Sequence, residues 1–167
     1  MDYDEAAEFW IKKDLDSVKM EKDALKEKIS GFLNSHNTCA LATSCADFVR
    51  CTPIEYIFDG GKFYLFSEGG LKFKALKENK NIALSVFEPY SDFNNLKSVQ
   101  VSGKAEIVEP FSDEYLKILE IKKIPVEAMK NLPRAMPLIK ITPCEFDYLD
   151  SELKKEGFSS RQHLENR

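Results

Sequence analysis

The chain has 167 residues, of which 43% are hydrophobic and 31% charged, and a formal net charge of −4; this is the size and make-up of one globular domain with its own core. The acidic balance offers no basic face for nucleic acid, no apolar run approaches the ~20 residues that cross a bilayer, and the acidic start "MDYDEAAEFW" is unlike a secretory signal. These exclusions predict a single cytoplasmic domain with neither nucleic acid nor membrane as partner.

In chain order, Phe9, Trp10, Ile11 and Leu15 suggest a first helix, with Trp10 as its packing anchor. From Met20 to Leu33 the apolar residues Met20, Ala24, Leu25, Ile29, Phe32 and Leu33 recur at helical spacing, which predicts an amphipathic helix ending near "NSHN". At Thr38 the period changes to two. "TCALATS" and "RCTPIEYIF" read as strands, and "FDGGKFYLF" as a hairpin whose Asp59, Gly60 and Gly61 supply the positive backbone angles of a tight turn. "GGLKFKALKEN" is a short helix opened by two glycines, and "NIALSVF" a fourth strand. In "SVQVSGKAEIV" the residues Val99, Val101, Gly103, Ala105 and Ile107 share one face of a fifth. "PFSDEYLKILEIKKIP" is a helix with Ser112 as N-cap, Asp113 and Glu114 in its first turn and Pro125 as its stop. A last strand, "LIKITPCEFDYL", is interrupted by Pro143. Six short strands imply an antiparallel barrel, closed or nearly so. The first three follow one another too closely for the crossovers of a parallel sheet.

Chemistry has few candidates. Cys39, Cys45, Cys51 and Cys144 read as reduced thiols, and they lack the C-x2-C or H-x3-H spacing of a metal site. No metal is expected, and a thiol redox site stands only as a third reading. His36 and His163 fall in a helix-end loop and in the tail, without an obvious partner acid, so a Ser-His or Cys-His pair has no support. Anion binding has more. Arg50 begins the second strand, Ser67 ends the third, and two glycines bring Lys72 and Lys74 to the start of a short helix, where free N–H groups and cations suit a phosphate. Spacing alone leaves a solvated lysine face as the alternative.

The order of these pieces says more than any one of them. The "LAT" strand, the Arg-x-x-Pro of Arg50 to Pro53, the hairpin into "FYLFS", the K-x-x-x-L-x-x-N of Lys72, Leu76 and Asn79, and the V-x-V-x-G-x-A of Val99 to Ala105 follow an N-terminal helix. Together, over roughly residues 30 to 110, the set resembles the pyridoxamine 5'-phosphate oxidase-like family of FMN-binding split barrels. The resemblance implies a mainly β fold, a six-stranded antiparallel Greek-key split barrel with flanking helices. Residues 1–36 would be a helical segment packing on the barrel, 37–150 the barrel with its inserted helices, and 151–167 a tail.

It also implies a homodimer holding flavin mononucleotide (FMN) in grooves at the subunit interface. Carried over by position, Arg50 and Lys72 would contact the FMN phosphate, with Ser67 and Lys74 assisting. Arg50, Cys51, Thr52 and Pro53 would run beside the isoalloxazine ring, and Phe66 would help shape the pocket. The implied activity is an oxidoreductase that takes a hydride or electrons from a reduced nicotinamide, NADH or NADPH, and passes them to a small-molecule acceptor. No side chain stands out as an acid or base, so the catalytic residue is unassigned. The alternative is a non-catalytic barrel that binds flavin or haem, since one fold serves several functions.

Overall fold

The computed structural model describes residues 2–166. Helix α1 (Tyr3–Leu15) opens on Asp2, whose side chain accepts hydrogen bonds from the amides of Asp4 and Glu5, the arrangement that satisfies orphan donors at a helix start. It buries no residue. Trp10 is 46% exposed and is held by the Arg161 guanidinium, 4.4 Å from its ring, so it is a cation–π partner and not the buried anchor expected. Helix α2 (Lys22–Asn34) does bury a stripe, Leu25, Ile29, Phe32 and Leu33, each contributing roughly 1.5–3 kcal/mol. That difference fixes α2, and not α1, as the helix integral to the core.

The chain then forms β1 (Thr38–Cys45) and β2 (Phe48–Glu55), paired along their whole length. Next come β3 (Ile57–Asp59) and β4 (Lys62–Phe66), joined by Gly60 and Gly61 at φ +57° and +76°. Positive φ at both central positions is the tight hairpin turn whose twist matches that of the strands. Asp59 itself lies in β3, opposite Lys62. Helix α3 (Lys72–Glu78), strands β5 (Asn81–Phe87) and β6 (Lys97–Val108), and helices α4 (Asp113–Lys122) and α5 (Val126–Lys130) follow. Ser112 caps α4 as expected, but Pro125 caps the start of α5; α4 is stopped by Lys123 in the left-handed conformation. Strand β7 (Leu138–Asp150), a 3-10 turn (Ser151–Glu156) and β8 (Arg161–Glu165) complete the chain.

All pairings are antiparallel, in the order β2-β1-β5-β6-β7-β4-β3, with β8 added to β7. The sheet curls into a half-barrel, so that its two edge strands, β2 and β3, are neighbours in sequence and flank the split. This is the expected split-barrel architecture with eight strands in place of six. Tyr56 accounts for one of the extra strands. It ends β2 by burying its ring and bonding through its hydroxyl to the Leu33 carbonyl (2.7 Å) and through its amide to the Asn37 carbonyl (2.7 Å), which separates β3 from β2. The other is β8, in the residues expected to be a plain tail. No helix among the described residues is long and apolar enough to cross a membrane.

Two apolar clusters lie on opposite faces of β4 and β7. Phe63, Leu65, Ile139 and Ile141 point into the barrel with the α2 stripe; Tyr64, Leu138, Tyr115 and Ile118 form the second cluster under α4. Pro143 does not interrupt β7. The register shifts beside it, where Gly103 pairs with Pro143 and Ser102 with Glu145, and the extra residue, Cys144, is absorbed as a bulge. Gly103 is required there because a Cβ would stand 2.8 Å from the Thr142 carbonyl oxygen and 3.3 Å from the Pro143 Cα. Those are backbone atoms that cannot swing aside. Gly103→Ala is expected to destabilise the fold by about 1–3 kcal/mol, read in thermal unfolding as a fall of roughly 2–4 °C per kcal/mol.

Candidate functional site

Alternation along β2 decides which side chains can act together. Arg50 lies opposite Thr43 and Thr52 opposite Leu41, and Thr43 and Leu41 are buried inside the barrel; Arg50 and Thr52 therefore take the inner face. Val49, Cys51 and Pro53 take the outer face and are exposed. The two faces carry different chemistry one residue apart.

Helix α3 packs on β1 and β2. Its K-x-x-x-L-x-x-N residues divide the work. Leu76 is buried in the barrel core. Asn79 ties the far end of the helix to β1, its side-chain amide donating to the Ser44 carbonyl (2.9 Å) while its Oδ1 accepts from the Asn81 amide (3.0 Å). Lys72 begins the helix, buried at 7% exposure, with its ammonium donating to the Gly69 carbonyl at 2.6 Å. Ser67 Oγ donates to the same carbonyl (3.1 Å) and accepts from the Gly69 amide (3.2 Å). Two of the residues expected to grip a phosphate thus converge on one oxygen.

Burial lowers the Lys72 pKa below the ordinary lysine value, and the Arg50 guanidinium nearby lowers it further. Among the described residues neither cation makes an ion pair with a carboxylate. Thr43 lies across the strand pair from Arg50, and its Oγ1 is buried with no hydrogen-bond partner. This region therefore holds two cations, one of them desolvated, beside the Ser67 and Thr43 hydroxyls. An anion with several acceptor oxygens is the ligand this set suits.

The other expected residues lie apart from that pair. Lys74 sets its ammonium over the Phe48 ring, 4.9 Å from the centroid. Phe66 faces the second cluster, edge-on to Tyr115 at 5.4 Å, on the opposite side of β4 from Leu65; the period-two rule already places residues 65 and 66 on opposite faces. Helix α3 has only seven residues, so what this site offers an anion is its side-chain cations.

The cysteines do not form one site. Cys39 is buried inside the barrel, Cys51 is exposed on the outer face, Cys144 is exposed in the β7 bulge, and Cys45 lies 4.0 Å from the Lys74 carbonyl oxygen. Burial pushes the Cys39 thiol up to about 12. Both histidines, in contrast, have acid partners that the sequence did not reveal. His36 Nε2 meets Glu88 at 3.0 Å while its Nδ1 meets the Phe32 carbonyl at 2.8 Å. His163 Nδ1 meets Asp147 at 3.0 Å, directly across the β7–β8 pairing. Only the fold brings these partners together.

An antiparallel sheet curled into a half-barrel with flanking helices is the split-barrel fold. The family model for pyridoxamine 5'-phosphate oxidase matches residues 25–149, and the chain belongs to that family. Among solved structures it is similar to ChuZ of Campylobacter jejuni, with 18% identity, 99% of this chain and 70% of that one covered, and a TM-score of 0.67. A FAD-binding protein of Mesorhizobium loti shares 17% identity over 72% of this chain and 89% of its own, with a TM-score of 0.59. HutZ, the heme storage protein of Vibrio cholerae, shares 16% over 71% and 89%, with a TM-score of 0.58. At these identities the likeness is one of fold. No curated protein matches the chain.

The lowered Lys72 pKa has a consequence for stability. Between that lowered pKa and the ordinary lysine value the unfolded state binds more protons than the folded one, so stability rises with pH across that window, and below it the buried ammonium burdens the folded chain by a constant amount. The ligand-free Lys72→Met variant is therefore expected to melt higher than wild type at pH 7. The gap should narrow as pH rises through the ordinary lysine value of about 10.4, above which the wild-type side chain is neutral in both states. Paired thermal melts across that range measure it, and equal melting temperatures at pH 7 would refute the assignment.

Proposed function

We propose that the protein is a flavin-binding oxidoreductase, with FMN held at the interface of a cytoplasmic homodimer, and that it passes hydride or electrons from a reduced nicotinamide to a small acceptor. The carrying observation is the buried Lys72 ammonium, which makes no ion pair among the described residues, donates to the Gly69 carbonyl and feels the charge of Arg50. A phosphate dianion relieves both the repulsion between the cations and the burial of one of them. In this reading Lys72, Ser67 and Arg50 hold the phosphate. Strand β2 is an edge strand, so its free backbone groups from Arg50 to Pro53 are open to hydrogen-bond a flat heterocycle. The flavin supplies the redox chemistry, and the chain's own residues bind and orient it.

The dimer is supported by the outer face of the sheet. The register aligns Cys51, Ala42, Ala83 and Ser102 in one row and Pro53, Ala40, Ser85 and Gln100 in the next. Small side chains in rows allow a second sheet to approach closely, and Phe87 stands exposed beside them. A second copy on this face would lie against β2, next to the groove. Ala42→Arg, which puts a long cation at the middle of the row, is expected to give a monomer in sedimentation velocity and to release flavin with it. A dimer that persists in this variant would move the interface elsewhere.

The ligand is tested by the absorption spectrum of the purified protein and by FMN titration. Arg50→Ala and Lys72→Ala should each weaken FMN by about 1.5–3 kcal/mol, the worth of a charge-assisted hydrogen bond, which is roughly 10- to 150-fold in Kd. Unchanged affinity in both variants would count against the phosphate assignment. Anaerobic bleaching by NADH or NADPH then separates an enzyme from a binder.

The second reading, a haem-binding barrel, takes its support from the fold shared with HutZ and from His163, whose Nδ1 is held by Asp147 and whose Nε2 makes no hydrogen bond among the described residues. His36 does not serve, since both its ring nitrogens are engaged. A Soret band in place of flavin absorbance would favour this reading.

A further inference from the structure

Beside the Lys72 ammonium lies a cavity of about 500 Å³, within the ordinary range for a small-molecule site. It shares its walls with the cation grip. Gly69, whose carbonyl accepts from Lys72, and Gly70, whose Cβ would come 3.7 Å from the Lys72 ammonium, form one side of it. So does Phe73, whose ring centroid is 5.5 Å from the same ammonium. Both glycines have positive φ, +129° and +103°, and leave bare backbone where a side chain would narrow the space.

The opposite wall is the segment from Leu132 to Pro137. It is pinned at its end by the Tyr115 hydroxyl on the Met136 carbonyl (3.0 Å) and by the Ser67 amide on the Pro137 carbonyl (3.0 Å). The cavity thus has apolar surface from Phe73 and Met136, with two charged groups at its edge, Arg134 and Glu68. Arg134 makes no ion pair or hydrogen bond among the described residues.

We propose that this cavity receives the adenylate end of a flavin dinucleotide, so that the groove accepts FMN but holds flavin adenine dinucleotide (FAD) more tightly. The inference rests on the flavin reading of the Arg50–Lys72 pair. If that pair holds the first phosphate, whatever extends from this phosphate lies next to Gly69 and Gly70, where the cavity opens. The lining suits a nucleotide better than a simple anion. Arg134 is placed to pair with the second phosphate, Phe73 and Met136 offer surface to a flat base, and Glu68, which repels a bare anion, accepts hydrogen bonds from ribose hydroxyls. A substrate reduced at the isoalloxazine ring has no need of this space, because the cavity adjoins the phosphate end of the groove and not β2.

The test is the Kd of FMN and of FAD for the full-length protein and for Arg134→Glu, by flavin fluorescence. Wild type is expected to bind FAD at least about 10-fold more tightly than FMN, the worth of one added charge-assisted contact. Arg134→Glu should abolish that preference while leaving the FMN Kd unchanged, which also shows that the variant is folded. Equal affinity of wild type for the two flavins overturns the inference and leaves the flavin reading standing, as does an FAD preference that survives in the variant. Binding of neither flavin removes both. A variant that has lost FMN as well is replaced by Arg134→Gln, for which the same two outcomes apply.

Discussion

A buried ammonium beside a guanidinium is the constraint on which the site depends. Desolvation and like charge both act against the protonated form of Lys72, and nothing on the inner face of β2 compensates with a carboxylate. The fold tolerates this because Lys72 is one side chain at the rim of a barrel packed with Leu41, Phe63, Leu65, Leu76 and Ile141, each worth roughly 1.5–3 kcal/mol of burial. Local instability of this kind is where binding sites are drawn from, since a ligand that neutralises it gains what the empty fold has lost. The Gly69 carbonyl, receiving both Lys72 and Ser67, keeps the donors aimed at one point. On the proposed reading that preorganisation lowers the ordering cost of binding.

What brings the two cations together is the seat of helix α3 on β1 and β2. Arg50 belongs to an edge strand and Lys72 to a helix reached only after β3 and β4, so neither local propensity nor sequence distance relates them. Helix α3 closes the gap by inserting Leu76 into the core and fastening Asn79 to Ser44. The motif that reads as a phosphate signature is therefore mostly structural in its second half. Lys72 faces the groove, while Leu76 and Asn79 fix where Lys72 stands.

Much of this was legible in the sequence, for physical reasons. Period-two alternation marked β1, β2 and β6, a short apolar run marked β5, the glycine pair marked the β3–β4 turn, and the Ser112 cap marked α4; each is a signal carried by neighbouring residues. What escaped depended on distant ones. Tyr56 looks like one more strand residue until Leu33 and Asn37 are present to receive its hydrogen bonds. Strand β8 exists because β7 offers its edge at residues 145–149, and that same pairing supplies His163 with Asp147. Pro143 looked like an interruption because the bulge that accommodates it is made by Gly103 on another strand. Phe66 is a different case. Simple alternation puts it on the opposite face of β4 from Leu65, towards Tyr115.

Alternation also settles the standing of the clustered cysteines. A strand with one face in a barrel and one outside cannot slip by a residue without exchanging every side chain between them, so Arg50 and Cys51 are committed to opposite surfaces by the same pairing with Thr43 and Ala42. Cys39 shares the inner face with Arg50 but lies deeper, where burial keeps its thiol protonated and chemically quiet. Cys51 shares the outer face with Ala42 and Ala83. If a second copy covers that face, the backbone of residues 50–53 becomes the seam between a charged groove and a subunit interface. One strand then positions a ligand by its inner side chains, its free edge and its outer surface at once, and replacing any of the three leaves the others in register.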